Sequence, residues 1–143
     1  MRILLRAVGE GKANAPDQIL ARWTWKLARA TRKVQDRRAS AEFHEAKRLL
    51  GAVANSRGHR HEDNVAKLVQ VARALPLAVG AALLASADGY TPRANSLLDQ
   101  AREDLGPIQE IANALAENLP APKAPVRKSR RRRKKRRPAG ATA

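Results

Sequence analysis

The sequence predicts an all-α protein, a compact bundle of four to five helices that carries a disordered basic C-terminal tail. Three observations lead there. The chain leans on Ala, Leu and Arg, which favour helices, whereas Trp23, Trp25, Phe43 and Tyr90 are its only aromatic residues. Apolar positions recur at spacings of three and four between Gly and Pro punctuation. Finally, a run of Lys and Arg without acids closes the chain after a Pro-containing linker, where burial cannot offset the entropy of ordering. The length of 143 residues suits one domain, and the absence of Cys removes disulfide frameworks, thiolate zinc sites and cysteine nucleophiles. The predicted organisation is an N-terminal arm or short strand over residues 1–13, a helical bundle over 14–119, and linker and tail over 120–143.

The N-terminal arm holds Ile3, Leu4 and Leu5 between Arg2 and Arg6, an apolar stretch too short for a secretory signal. The first predicted helix runs from about Pro16 to Arg38. Its apolar stripe is Leu20, Trp23, Leu27, Ala30 and Val34, which places Trp25 on the opposite side among Gln18, Arg22, Arg29 and Arg32. The second runs from Ser40 to about Asn55 and buries Phe43, Ala46, Leu49, Leu50 and Val53. No Gly or Pro separates these two, so one long helix is an equal alternative. Asn55 to His61 is predicted as a loop around Gly58. A third helix opens with Glu62 and Asp63, presents Val65, Leu68, Val69, Ala72 and Leu75, and is kinked or split at Pro76. Beyond Pro76 it becomes apolar nearly all round, the pattern of a helix at the centre of a bundle. Thr91 followed by Pro92 marks the start of the fourth helix, with Leu97, Leu98, Ala101 and Leu105 inward and Gly106 at its end. Pro107 opens a fifth, with Ile108, Ile111, Ala112, Leu115 and Leu119 facing the core, and Pro120 stops it. The longest apolar run, Ala74 to Ala87, is too short to cross a bilayer, so no membrane span is expected.

Charge is distributed unevenly. The formal net charge is +16. Residues 1–60 hold 14 basic and 5 acidic side chains, residues 61–122 hold 4 basic and 8 acidic, and the last 21 residues hold 11 basic and none acidic. Such asymmetry points to a polyanionic partner, DNA or RNA. The tail residues expected to bind it are Arg127, Lys128, Arg130, Arg131, Arg132, Arg133, Lys134, Lys135, Arg136 and Arg137, because Lys and Arg release condensed counterions on neutralising phosphate and Arg matches its oxygens with two donors. No apolar residue is interleaved in this run to insert into a membrane interface, which favours nucleic acid over lipid. A secondary surface is expected on the first helix: Arg22, Lys26, Arg29, Arg32 and Lys33, with Trp25 either stacking on an exposed base or packing against the N-terminal arm or a second subunit with Arg stems over its ring.

Catalytic and metal signatures are weak. His59, His61, Glu62 and Asp63 are adjacent but lack the third His or closed geometry of a metal site, and Gly9 to Lys12 lacks the context of a phosphate loop. A helix-turn-helix across Asp88 and Gly89 would present Arg93, Asn95 and Ser96, but Asp88, Asp99, Glu103 and Asp104 nearby repel phosphate. The expectation is a protein that is not an enzyme, has no cofactor, and binds nucleic acid in the cytoplasm or nucleoid, or in the nucleus of a eukaryotic host. The alternative is a structural or adaptor protein of a phage, plasmid or ribosomal nucleoprotein particle, whose bundle binds a protein partner or a second copy of itself.

Overall fold

The computed structural model describes residues 1–37 and 43–119, the side chain of Phe43 excepted. The predicted junction of the first two helices and the predicted linker and tail lie outside these residues. Among them the secondary structure is entirely helical: α1 (Arg2–Gly9), α2 (Asp17–Ala30), α3 (Arg32–Asp36), α4 (Phe43–Asn55), α5 (Gly58–Ala74), α6 (Leu77–Ser86), α7 (Pro92–Leu105) and α8 (Ile108–Asn118). Eight helices exceed the four to five predicted, two through breaks at Thr31 and Pro76 and one, α1, through a tertiary contact.

The N-terminal arm is neither extended nor a strand but α1, with Leu5 and Val8 fully covered. Its stability is tertiary, because a helix of this length is marginal alone. α1 packs on α8, and the Asn113 amide donates to the Gly9 carbonyl at 3.2 Å. The first predicted helix divides at Thr31 into α2 and α3, where φ −98° and ψ 8° leave the helical well. The Thr31 hydroxyl donates to the Leu27 carbonyl at 2.7 Å, a back-bond that bends helices. The third divides at Pro76, which lacks the donor a continuous helix would need.

The Asn55–His61 loop is much shorter than predicted. Only Ser56 and Arg57 separate α4 from α5, and Gly58, at φ +59°, opens α5 instead of closing α4. His59 and His61 are therefore helical. Thr91 caps α7 as its sequence foretells, accepting from the Ala94 N–H at 3.1 Å.

α6 is the axis of the fold, and Ala78 through Ala85 are all buried. Its Ala78, Ala81 and Ala85 side join Leu5, Leu20, Ala28, Ile111 and Leu115 in one apolar cluster. Leu83 and Leu84 join Val53, Val65, Leu68, Ala94 and Leu98 in a second. A helix that is apolar on all sides thus separates two half-cores, one built from both ends of the described chain and one from its middle. At Gly80 the α5 and α6 backbones nearly touch. A Cβ there would lie 2.4 Å from the Ala72 carbonyl oxygen, so only glycine permits the approach.

Candidate nucleic-acid interface

The buried side of α2 and α3 is not the apolar stripe expected from the sequence. Leu20, Thr24, Ala28, Thr31 and Gln35 are buried, whereas Ala30 is exposed and Trp23, Leu27 and Val34 are half-buried. At about 100° per residue, the buried arc is turned by about 80° from the predicted one. The row of Thr and Ala is narrow enough to lie against α6 and α8, and its hydroxyls are satisfied within the helix, Thr24 donating to the Leu20 carbonyl at 2.8 Å. Gln35 is fully buried: its amide donates to the Leu115 carbonyl at 3.2 Å and its oxygen accepts from the Asn118 amide at 2.7 Å. A buried side chain with both ends satisfied is tolerated in a core.

This rotation explains both tryptophans. Trp23 and Trp25 stand on opposite margins of the buried row, and each is half-buried. Trp23 packs on the first cluster and Trp25 against both, at their seam. Trp25 thus keeps its place beside Arg29 and Arg32 on the helix, with its ring half-buried against the bundle.

What the outer side does carry is a row of cations. Arg22, Lys26, Arg29, Lys33 and Arg37 are all exposed at spacings of four, three, four and four. The backbone ladder crosses the break, since the Thr31 N–H donates to the Leu27 carbonyl at 2.9 Å and the Gln35 N–H to the Thr31 carbonyl at 3.0 Å. The row consequently stays within an arc of about 80° and extends about 22 Å at 1.5 Å per residue. Arg37 extends the surface expected from the sequence by about one turn.

Not every cation on this side is free. Arg29 donates through both terminal nitrogens to the Asp88 carboxylate, at 3.0 and 3.3 Å, and this pairing raises the Arg29 pKa. Arg32 is half-buried and lies 4.0 Å from Asp36, whose carboxyl is raised by burial against the opposing pull of Arg32 and Lys47. Arg32 and Lys47 line a groove of about 350 Å³ between α3, α4 and the α6–α7 turn, with Asp88 and Tyr90 on its other side.

The histidine cluster is structural. His61 is fully buried, with Nδ1 2.8 Å from the Val53 carbonyl and Nε2 accepting the Tyr90 N–H at 2.9 Å, so both ring nitrogens are engaged. Its ring stacks on Tyr90 with centroids 4.7 Å apart, and the Arg57 guanidinium lies 4.4 Å from the Tyr90 centroid. Glu62 accepts from the Thr91 hydroxyl at 2.7 Å and lies 3.3 Å from His59; the Thr91 bond is the chief cause of its lowered pKa. Among the described residues no group of three or more His, Asp or Glu is placed to hold a metal ion, and no helix is long and apolar enough to cross a membrane.

The opposite sign gathers on α7 and α8, where Asp99, Glu103, Asp104, Glu110 and Glu117 are exposed. Arg102 instead turns inward, donating to the Leu84 and Ala87 carbonyls at 2.9 and 3.1 Å and capping the end of α6, and burial lowers its pKa. Comparison with known protein families, curated protein sequences and solved structures finds no match to this chain.

Proposed function

We propose that this protein is a non-enzymatic nucleic-acid-binding protein, anchored by the Lys and Arg residues from Arg127 to Arg137 and assisted by the cation row of α2 and α3. The observation that carries this reading is 11 basic and no acidic side chains in the last 21 residues, joined to a first half with a net charge of +9. Charge of that density binds phosphate by counterion release and is largely blind to base sequence. The exposed row from Arg22 to Arg37 supports a second point of contact on the folded body. Trp25 supports it indirectly, by bracing the helix that presents the row.

A second reading is favoured by the acidic outer side of α7 and α8. There the bundle is an adaptor that docks a basic protein partner through Asp99, Glu103, Asp104, Glu110 and Glu117, while the tail tethers it to a nucleoprotein particle. The test is binding of the full chain, and of a chain ending at residue 122, to DNA and RNA of matched length across a salt series. If about seven tail charges meet duplex phosphates, the log-log salt slope is about −6. Loss of all binding on truncation makes the tail the sole anchor, and absence of binding by the full chain overturns the reading.

A further inference from the structure

We infer that the groove between α3, α4 and the α6–α7 turn takes an unpaired stretch of nucleic acid, with a base against Tyr90 and the adjoining phosphates on Arg32 and Lys47. This inference rests on the nucleic-acid reading above and deepens it. The α2–α3 row supplies charge for any nucleic acid, whereas the groove selects single strands.

The selection begins with Tyr90. The buried His61 fixes it, accepting its backbone N–H at 2.9 Å and stacking on its ring. Arg57 lies on the same ring, and its guanidinium is itself held by the Ala54 and Ser56 carbonyls at 3.2 and 2.9 Å. A side chain braced in this way loses little freedom on meeting a ligand. Tyr90 is nonetheless 46% exposed, and Arg57 beside it is exposed as well. A tyrosine with a guanidinium next to it is a surface on which unpaired bases stack, whereas the bases of a duplex are already stacked on their neighbours.

Cations surround this surface. Arg32 and Lys47 line the groove with Tyr90, and Leu50 and Val53 give it an apolar wall. Its volume of about 350 Å³ falls within the range of about 300 to 1,000 Å³ usual for ligand sites. At the Arg57 contact it adjoins a second hollow of about 460 Å³, where Arg57 and Arg60 stand with Asn55 and Asn64. Arg32 of α3, Lys47 of α4, and Arg57 and Arg60 at the start of α5 thus gather around one exposed ring. Asp36 faces Arg32 through Nε, at 4.0 Å, which leaves the terminal nitrogens for a phosphate. The carboxylate that lines the groove, Asp88, is engaged by both terminal nitrogens of Arg29. That pair also sets the groove beside the α2–α3 row, to which Arg29 belongs. A basic groove joined to a fixed aromatic surface is the combination that grips single strands without reading their sequence.

The experiment uses full-length chains and three ligands of about 12 positions: a single strand, a strand of equal charge whose sugars carry no bases, and a duplex. Binding is measured from about 50 to about 300 mM salt. Tyr90→Leu removes the ring and keeps every charge, Tyr90→Phe keeps the ring, and Arg32→Gln with Lys47→Gln removes charge from the groove. Thermal melting monitors the fold of each. Tyr90→Leu should bind the single strand about 5- to 30-fold more weakly at every salt, with its salt slope, duplex affinity and baseless-strand affinity unchanged. Tyr90→Phe should bind like the parent. The double Gln variant should flatten the single-strand slope by about 1.4. Unchanged single-strand affinity of Tyr90→Leu, an equal loss on the duplex or the baseless strand, a loss by Tyr90→Phe as large as that of Tyr90→Leu, or an unchanged slope of the double variant overturns the groove while leaving a binder driven by charge alone. A parent chain that binds no nucleic acid at any salt overturns the underlying reading as well.

Discussion

α2–α3 and α7 both lie on the central helix α6, yet they are built in opposite ways. α7 buries Ala94, Leu98 and Ala101 and exposes Asp99, Glu103 and Asp104. α2–α3 buries Leu20, Thr24, Ala28, Thr31 and Gln35 and exposes Arg22, Lys26, Arg29, Lys33 and Arg37. One is held by apolar packing and presents negative charge; the other sets small side chains and a buried, hydrogen-bonded Gln35 beside the apolar contacts of Leu20 and its flanking tryptophans, and presents positive charge. The contrast shows that charge on the outer side of a helix is independent of how the inner side is secured. It also divides the surface of the body into regions of opposite sign.

The largest expected effect lies on the apolar side of this contrast. Leu98→Ala removes a fully covered side chain from the second cluster and should cost about 3 kcal/mol in chemical denaturation. Gln35→Ala should cost about 2 kcal/mol, since it strips the partner from the buried Leu115 carbonyl and from the Asn118 amide. If Gln35→Ala is neutral and Leu98→Ala is not, hydrogen bonds do not secure α3.

Thr91→Ala ranks third, at about 1 kcal/mol, the usual worth of an N-cap. It also has a pH signature. The Thr91 hydroxyl holds the Glu62 carboxyl below its ordinary range, so that contribution is present above the unfolded pKa and disappears as the pH falls through the folded one. The stability difference between parent and Thr91→Ala should therefore narrow on acidification below about pH 4.5. A constant or widening gap in urea melts across that window would show that the hydroxyl does not act on Glu62.

The smallest expected effect on stability is that of Asp88→Asn, within about 0.5 kcal/mol, because both partners of the Arg29 pair are exposed. Its effect on binding should be visible nonetheless. Freeing Arg29 adds one cation to the row and should tighten duplex binding by about 2- to 5-fold near 150 mM salt. Weaker binding by this variant would mean that Asp88 positions Arg29 for phosphate.

The same contrast decides how much was legible in the sequence. α7 was almost fully legible, because Thr91, Pro92 and Gly106 punctuate it and its core positions are apolar. α6 was legible from its unbroken apolar composition, and Pro76 announced the split before it. α2–α3 was not, because ranking side chains by hydropathy sends Thr24, Thr31 and Gln35 outward. The available signal was the row of small residues Thr24, Ala28 and Thr31 flanked on either margin by a tryptophan, which fits a close helix contact with two shoulders. α1 was missed because its partner, α8, lies about a hundred residues away, and short helices are decided by tertiary contact. Of the candidate site, the Lys and Arg spacing on the first helix was readable by periodicity. Its pairing with Asp88 was not, since it joins positions 59 residues apart. The tail lies outside the described residues, and its binding role rests on its composition.

The most direct test of the account sets the two outer sides against each other in one salt series on a 25-base-pair duplex. Full-length chains carry either Arg22→Gln, Lys26→Gln, Lys33→Gln and Arg37→Gln together on the α2–α3 row or the pair Asp99→Asn and Glu103→Gln on α7. The first set is expected to weaken binding and flatten the salt slope by about 3 to 4, whereas the second leaves the slope unchanged and the affinity equal or slightly higher. Equal losses in both, or a loss confined to the α7 variant, would contradict a surface in which the basic side faces the phosphate and the acidic side faces away.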